Sequence, residues 1–317
     1  MTYCQITAAE RYPLGLLRRQ GLPAAAIARI LGRQRSTIGR ELRRNRTHHD
    51  GSYRPQLADW YAHGRRSRSR RNQRFSPADW ATVHTRIRAD WSPEQVAGRL
   101  RLEQGLAISH ETIYRSIWAD KVAGGTLHTH LRGARKQRRK RYGSYDSRGR
   151  LAGKRPITAR PAAVETRCQL GHWEADTVLG AGQAGPCVLT MVERKTGYLV
   201  LGQLQQRTTA DVTQRAIQLI RAQRRVVRTI TVDNGTEFHE YAAIERATPA
   251  RFYFATPHHA WERGTNENTN GLLRQYLPKG QSMAHLSQQD CSHLAARLNR
   301  RPRKRLGYRT PEECYVS

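Results

Sequence analysis

The chain has little of several things that would otherwise define its class. Of its 317 residues only 5 are cysteines, and no two form a Cys-x-x-Cys pair, which argues against a zinc ribbon or a disulfide framework. No stretch approaches the roughly 18 apolar residues of a membrane span, and the first residues lack the apolar run of a signal peptide. These absences predict a soluble protein of a reducing cytoplasm, with no membrane partner.

Acidic residues and lysine are also scarce. The sequence has 25 Asp and Glu against 56 Lys and Arg, a formal net charge of +31. This surplus argues against uncharged or acidic small molecules as the main ligands and points to a polyanion, most often nucleic acid. Only 7 of the basic residues are lysines and 49 are arginines, whose planar fork of donors matches phosphate oxygens. A GC-rich genome would explain arginine over lysine but not the excess over acids.

The charge is unevenly distributed along the chain. Residues 1–170 carry 36 basic and 12 acidic residues (+24), whereas residues 171–317 carry 20 and 13 (+7). Hydrophobic residues make up 38% of the sequence, enough for folded cores, and the length suggests about two to three domains. The predicted organisation is a helix-turn-helix domain at 1–46, a basic linker at 47–75, a second helix-turn-helix region at 76–120, a basic connector at 121–165 and an α/β domain at 166–317.

Residues 5–45 have the pattern of three short helices. Ile27, Ile30 and Leu31 share one helical face, Gly32 breaks the helix, and a new helix opens near Ser36. This is the layout of a helix-turn-helix, whose second helix enters the major groove of DNA. The candidate DNA contacts are Gln34, Arg35, Ser36, Thr37, Arg40 and Arg43. An ordinary helical hairpin with a solvated basic face fits the same pattern.

A second region repeats this theme. Ser92 has the position of a helix cap, with Pro93 as the first helical residue, Gly105 interrupts the helix, and Ser109 caps the next one. The candidate DNA contacts here are Ser109, His110, Thr112 and Arg115. The arginine-rich segments at 47–75 and 121–165 are predicted to follow phosphates, although the first also fits a solvated charge run.

From residue 171 the pattern changes to α/β. HWEADTVLG, PCVLTMVE and YLVLGQLQ predict three strands, and an amphipathic helix follows at 209–224. VVRTITVD predicts a fourth strand that ends at Asp233, EFHEYAAIERA a helix, RFYFA a fifth strand, and two further helices close the chain. The order is that of an RNase H-like domain with a mixed five-stranded sheet, although other α/β domains share it.

Three acids stand out by position. Asp176 lies in the first strand, Asp233 ends the fourth, and Glu267 lies near a helix start in the run ERGTNENTNG. A carboxylate in a strand is costly unless it is paired or bound to a metal, and a divalent cation would relieve the repulsion between two neighbouring acids. Paired metal ions could then activate a nucleophile against a phosphodiester. Each acid taken alone also fits a surface residue, and Asp233-Asn234-Gly235 also fits a simple turn.

Long segments of the chain resemble IS30-family transposases. They are RQRSTIGRELRRN, GHWEADTV, TVDNGTEF, ERGTNENTNGLLRQYLPKG and LNRRPRKRLGYRTPEE, and the match runs from about residue 5 to about residue 315. The resemblance implies a multidomain DDE recombinase with an integrase-type RNase H-like core. Carried onto this sequence, it makes Asp176, Asp233 and Glu267 the catalytic and metal-binding acids, with Mg²⁺ or Mn²⁺ as cofactor, as a pair of ions.

Other residues gain roles from their positions in these segments. Glu262 is a rival to Glu267, which we prefer for its place in NENTNG. Trp173 and Glu174 would orient the strand of Asp176, and Asn234 and Gly235 would shape the turn that presents Asp233. Arg274 and Lys279 are candidate DNA contacts, although Arg274 also fits a solvated arginine, and Asn266, Asn268 and Asn270 are left open between caps and DNA contacts.

The resemblance implies a reaction without a covalent protein intermediate. Water releases a 3′-OH at the end of a transposable element, and that 3′-OH attacks target DNA. The helix-turn-helix units would bind double-stranded DNA, either the terminal inverted repeats or the target. The protein would act as a homodimer or higher oligomer in the bacterial cytoplasm, at the nucleoid. The alternatives are a DNA-binding transcription regulator with an inactive core, a related metal-dependent nuclease, and an integrase of viral origin.

Overall fold

The structure, a computed structural model, describes residues 5–68, 75–133, 153–182, 185–257 and 259–316. The chain divides into two compact units, Met1–Ala81 and Thr82–Ser317. The first unit is helical, and the second combines helices with a five-stranded sheet, so the predicted fold class is confirmed. None of the helices in these ranges combines the length and apolar character that a bilayer crossing requires.

The three helices predicted for residues 5–45 are present. They are α1 (Ala8–Arg19), α2 (Ala24–Ile30) and α3 (Arg35–Arg44). Gly32, between the second and third, has φ 61°, a backbone conformation that favours glycine. Leu14, Ile27 and Ile38 contribute one residue from each helix to a fully buried core. The helical periodicity of these apolar residues is therefore what brings the three helices together.

A fourth helix, α4 (Pro55–Arg68), lies inside the segment 47–75 that composition predicts as a linker. It packs against α1 and buries Ala58 completely. Arg11 of α1, only 3% exposed, joins Asp59 of α4 with 2.7 Å between Nη1 and Oδ1. This part of the segment therefore belongs to the folded unit. Charge counting misses it because the buried face of the helix consists of small residues, Ala58 and Ala62, within an arginine-rich segment.

Three further helices, here called the middle helices, follow. They are α5 (Pro77–Arg88), α6 (Pro93–Gln104) and α7 (His110–Val122). The hydroxyls of Ser92 and Ser109 accept backbone N–H groups at the starts of α6 and α7, as predicted. Gly105 ends α6 in the left-handed region at φ 65°. His84 of α5 bonds to Ser116 of α7, with 3.2 Å between Nε2 and Oγ.

The carboxylate of Asp90 ties the middle helices to the C-terminal part of the chain. Asp90 follows α5, and its side chain is only 10% exposed. Its Oδ1 lies 2.9 Å from Nδ1 of His130, and its Oδ2 accepts from the hydroxyl of Tyr276 (3.0 Å) and from Arg297 (2.6 Å). Nearby, a Cβ at Gly98 would overlap the ring of Tyr308. The segment that follows α5 and the helix α6 are therefore packed on the rest of the second unit.

Arg99 and Glu313 make a second contact of this kind, and it predicts a pH dependence. The Arg99 guanidinium donates two hydrogen bonds to Glu313 (2.5 and 2.8 Å) and lowers the pKa of that carboxyl to about 2. Ionised Glu313 thus stabilises the folded chain above its unfolded pKa of about 4.3, and this contribution is lost as pH falls through about 2.

We expect Glu313→Gln to destabilise the protein near pH 7 by up to about 1 kcal/mol, because the pair is partly exposed. The difference in the free energy of unfolding between this variant and the wild type should become smaller as pH falls below about 4.3. Urea midpoints of the two proteins measured between pH 7 and pH 3 test this. A difference that stays constant across the series would contradict the ion-pair explanation.

The two predicted basic segments are only partly described, because 69–74 and 134–152 lie outside the described residues. The end of the second segment packs on the α/β domain. The carbonyl of Arg155 accepts from the N–H of Phe254 (2.9 Å), and the buried Arg160 donates to the hydroxyl of Thr231 (2.9 Å). A short helix, α8 (Ala163–Thr166), then leads into the sheet.

Five strands form one mixed sheet in the order β3-β2-β1-β4-β5. They are β1 (His172–Leu179), β2 (Cys187–Glu193), β3 (Leu199–Leu204), β4 (Thr229–Val232) and β5 (Arg251–Phe254). The first three pair antiparallel, and β1 pairs parallel with β4, which pairs parallel with β5. The predicted mixed five-stranded sheet is confirmed.

Helices cover both faces of the sheet. They are α9 (Thr209–Arg221), α10 (Tyr241–Ala247), α11 (Gly264–Leu273), α12 (Gln288–Asn299) and α13 (Pro311–Val316). Trp173 and Ala175 of β1 pack in the core that contains α9, α10 and α13, whereas Val178 packs in the core with α11 and α12. Since side chains alternate along a strand, Glu174 and Asp176 share the second face. The alternation of β1 therefore directs both carboxylates toward α11.

Candidate active site

Asp176 lies within β1 and Asp233 directly follows β4, and the two residues lie side by side where the parallel pairing of these strands ends. In the register of β1 and β4, Glu174 is paired with Thr231. Asp176 and Asp233 each follow two residues later, so they stand level with one another. The two acids, here called the acid pair, are therefore brought together by sheet topology, at the carboxyl end of β4, on the side of the sheet where α/β folds commonly bind ligands.

One guanidinium bridges the acid pair. Nη2 of Arg263 lies 3.0 Å from Oδ2 of Asp176, and Nη1 lies 3.3 Å from Oδ2 of Asp233. The two Oδ1 atoms are held elsewhere: that of Asp176 accepts the N–H of Thr177 (2.9 Å), and that of Asp233 accepts the N–H of Gly235 (2.9 Å). Both carboxylates therefore turn their Oδ2 atoms toward one shared cationic group.

Burial raises the pKa of Asp176, and the negative charge of Asp233 acts in the same direction. Arg263 opposes both effects and favours the ionised form. Burial would lower the pKa of Arg263, but the two carboxylates outweigh it and the net shift is upward. Arg263 therefore provides the positive charge that favours the ionised form of Asp176 in its partly buried position.

Glu174 fixes the start of α11 against β1. Its side chain is fully buried, and its Oε2 accepts the N–H of Asn266, one of the unpaired donors at the helix start (2.8 Å). Its Oε1 pairs with the equally buried Arg194 at 2.5 Å. One turn later, Nδ2 of Asn270 donates to Oδ2 of Asp176 (2.9 Å). These contacts set the helix that carries Glu267 directly over the acid pair.

Glu267 lies in the first turn of α11, and its side chain is exposed. It follows Arg263 by four residues and precedes Asn270 by three, and residues at these spacings are neighbours on a helix. Across the described ranges, no three His, Cys, Asp or Glu side chains are arranged to hold a metal. The rival Glu262 accepts the N–H of Thr256 (2.7 Å), which gives it a local bracing role. The predicted triad stays a prediction.

The residues expected to support the site occupy structural positions around it. Trp173 is fully buried and meets the ring of Tyr315 edge-on. The amide of Asn234 donates to the carbonyl of Ala255 (2.8 Å) and fastens the turn after β4. A Cβ at Gly235 would overlap a carboxylate oxygen of Glu237. A side chain at position 235 would therefore disturb the turn that presents Asp233.

The three asparagines of α11 and the two candidate basic contacts are placed differently. Asn266 is buried and accepts from the hydroxyl of Thr190 (3.2 Å), whereas Asn268 is exposed. Arg274 donates to the carbonyl of Leu179 at the end of β1 (2.8 Å), so its guanidinium is already engaged. Lys279 is exposed.

Several side chains near the acid pair carry no role in the sequence-based interpretation. Arg263 could have been found, because it lies four residues before Glu267 in the same motif. Lys154 could not have been identified from the sequence, because it belongs to the predicted connector and meets the site only in the folded chain. Its Nζ lies 3.3 Å from Oδ1 of Asn234. The buried Glu237 is equally hidden in the sequence: its Oε1 accepts from Arg207 (2.5 Å) and from the hydroxyl of Thr177 (2.9 Å).

The candidate DNA contacts of both helical regions lie at the surface. Exposed residues are Gln34, Arg35, Ser36, Arg40 and Arg43 around α3, and Ser109, His110 and Arg115 around α7. Thr37 and Thr112 are half-buried. Their apolar neighbours Ile38 and Ile113 are fully buried. Each helix thus has one face in a core and one polar face available to a partner.

Comparisons with known proteins identify the family. A helix-turn-helix domain model matches residues 2–45, and an integrase core domain model matches residues 166–260. The transposase of insertion sequence element IS4351 from Bacteroides fragilis is 38% identical over 310 residues, covering 98% of this chain and 95% of that protein. The chain belongs to the IS30 family of insertion-sequence transposases.

Other members of the IS30 family match over most of their length. The transposase of IS1086 from Cupriavidus metallidurans is 36% identical, covering 98% of this chain and 93% of that protein. The transposase InsI of IS30A from Escherichia coli is 32% identical, covering 93% of this chain and 80% of that protein. The integrase-type core and these relatives make this family member a recombinase of the DDE type.

Proposed function

We propose that the protein cuts and joins DNA at the ends of an insertion sequence, with Asp176, Asp233 and Glu267 as its catalytic acids. The observation that carries this proposal is the convergence of the two Oδ2 atoms of the acid pair on a single cation, Arg263. Two hard oxygen donors aimed at one positive group are the ligands that Mg²⁺ and Mn²⁺ prefer. The transposase relatives support DNA as the substrate.

The donor set of the site fits a divalent ion. Asp176 and Asp233 would hold it through their Oδ2 atoms, and Glu267 would complete the set from α11. When bound, such ions polarise the phosphodiester, lower the pKa of an attacking water or 3′-OH and stabilise the leaving oxygen. We propose Mg²⁺ or Mn²⁺, as a pair of ions, in this role.

The chain itself supplies orientation and charge. The N–H groups of Thr177 and Gly235 and the amide of Asn270 fix the rotation of the two carboxylates. Such fixed ligands need no reorganisation when the substrate binds. In the first step the oxygen of water attacks phosphorus, the P–O3′ bond breaks, and a 3′-OH is released. In the second step that 3′-OH attacks a target phosphodiester and displaces its 3′ oxygen.

Recognition of DNA is assigned to the two helical regions. We propose that the exposed face of α3 enters a major groove and that the exposed face of α7 makes a second DNA contact. Lys154 lies beside Asn234, and Lys279 is exposed; we propose both as phosphate contacts near the reacting strand. Because two element ends are cut in concert, the active form would be a homodimer or larger. It would act in the cytoplasm at the nucleoid.

Glu267 provides the first test, because its side chain is exposed and its catalytic role therefore has less structural support than that of Asp176 or Asp233. We expect Glu267→Gln to lower strand transfer on a labelled terminal-repeat duplex with Mg²⁺ by at least about a hundredfold, since a metal ligand contributes several kcal/mol at the transition state. Glu240→Gln is the matched control: Glu240 is exposed and its side chain caps no helix. DNA binding should be unchanged in both variants.

Full strand transfer by Glu267→Gln would remove this residue from the catalytic set, and Glu262→Gln would then be assayed in the same way. The competing proposal, a nuclease on the same core, predicts cleavage of the duplex without joining to target DNA. The joined product therefore separates the two functions.

A further inference from the structure

Arg263 has the position of a counter-ion inside the proposed metal site. Its side chain is 11% exposed and pairs with both members of the acid pair. Nη2 also approaches the carbonyl of Ala175 at 3.4 Å, whereas the buried Nε has no hydrogen-bond partner among the described residues. The two carboxylates thus contribute most of the polar contacts of this guanidinium.

Charge explains why the guanidinium lies there. Two partly buried carboxylates on adjacent strands repel one another, and a positive group between them lowers the free energy of the folded chain. A divalent cation held by the same two Oδ2 atoms would meet this requirement equally well. Guanidinium and metal ion cannot both lie between these oxygens, because they are like-charged and need the same ligands.

We propose that Arg263 is an internal competitor of the divalent cation: its guanidinium holds the acid pair while the metal is absent and must leave both Oδ2 atoms when the metal binds. This inference rests on the proposed function for the identity of the metal ligands. The exchange breaks two ion pairs and forms two metal–carboxylate contacts, with no covalent change.

DNA would favour the exchange. A guanidinium released from two carboxylates regains its hydrogen bonds on phosphate oxygens, which match its planar fork. A DNA duplex therefore gives displaced Arg263 a new partner, and metal binding and DNA binding become positively coupled. The site would hold metal weakly in the chain alone and more tightly once DNA is bound.

The test measures Mn²⁺ binding to the full-length protein by electron paramagnetic resonance, with and without a DNA duplex. Without DNA, we expect Arg263→Gln to bind Mn²⁺ on the order of tenfold more tightly than the wild type, within the usual range of coupling between two binding events. Arg263→Lys, which keeps one charge but loses the two-pronged geometry, should be intermediate. Arg300→Gln is the matched control, because it removes an arginine from an exposed surface pair with Glu312.

A second readout is thermal. Arg263→Gln leaves the acid pair without its counter-ion, so the metal-free variant should melt below the wild type and gain more in Tm on addition of Mn²⁺. Added duplex should tighten Mn²⁺ binding to the wild type but have much less effect on Arg263→Gln. If Arg263→Gln does not fold, the comparison of Mn²⁺ affinity between the wild type and Arg263→Lys tests the proposal: Arg263→Lys should bind Mn²⁺ more tightly.

The outcomes separate this inference from the proposed function. Equal or weaker Mn²⁺ binding by both Arg263 variants, while wild-type binding is abolished by Asp176→Asn, overturns the inference and leaves the metal site in place. Binding that is insensitive to Asp176→Asn in every protein overturns the site assignment itself. Tighter binding by Arg263→Gln that is lost on adding Asp233→Asn supports both.

Discussion

Strand transfer should fall by at least about a thousandfold in Asp233→Asn while the protein remains folded. A carboxylate that holds a catalytic metal contributes several kcal/mol to the transition state, and each 1.36 kcal/mol is a factor of ten in rate. The fold should survive because of the local charge balance. Neutralising Asp233 leaves one carboxylate, Asp176, opposite one guanidinium, Arg263, at 3.0 Å.

The measurement compares initial rates of joining on a labelled terminal-repeat duplex, with Tm and DNA affinity determined on the same samples. Asp176→Asn should behave in the same way, and Glu240→Gln should retain wild-type rates. Wild-type joining by Asp233→Asn with unchanged DNA affinity would show that the acid pair is not the reaction centre. A lower Tm that accompanies the loss of activity in Asp233→Asn would instead indicate a structural role for Asp233.

Glu174→Gln should produce the largest loss of stability, about 3–5 kcal/mol, because it breaks a buried ion pair by removing one partner. Glu174 is fully buried, and Arg194, only 4% exposed, would keep its charge with Glu165 as its remaining carboxylate at 3.3 Å. The substitution is close to isosteric, and the glutamine can still accept the N–H at the start of α11. The loss of stability therefore measures the removal of the negative charge rather than a change in side-chain shape.

Urea unfolding measures this effect, with the exposed pair Arg300–Glu312 as comparison. Glu312→Gln should cost less than about 1 kcal/mol, as surface pairs do. A shift in midpoint for Glu174→Gln no larger than that of Glu312→Gln would mean that Arg194 finds other compensation. Because α11 starts on Glu174, partial loss of strand transfer should accompany the lost stability.

The sequence predicts the α/β domain well because its signals are local. Strands such as Cys187–Glu193 are runs of apolar and β-branched residues, and the amphipathic α9 is recognised by its period. Asp176 and Asp233 are predicted as site residues because an acid that ends or interrupts such a strand is costly. The predicted helix EFHEYAAIERA begins later, at Tyr241, since Glu237 and Phe238 are buried in a short 3-10 turn.

The features that sequence does not predict depend on distant partners. Arg263 is one arginine among 49 in the chain, and only the folded sheet shows that it faces two carboxylates. The sequence leaves Asn270 open between a cap and a DNA contact, and only the fold shows that its amide donates to Asp176. The helix α4 is hidden in the sequence because its buried residues, Ala58 and Ala62, are small and lie in an arginine-rich segment, and because the ion pair of Arg11 with Asp59 that joins it to α1 links distant residues.

The way Asp90 fastens the middle helices has a consequence for exchanging parts between relatives. A hybrid transposase joined near residue 120 would take Asp90 from one parent and its partners His130, Tyr276 and Arg297 from the other. A junction among residues 69–74 keeps this cluster from a single parent and moves only α1–α4. We therefore expect that DNA specificity carried by α1–α4 is best transplanted by grafting these four helices alone, with the middle helices left on the recipient core.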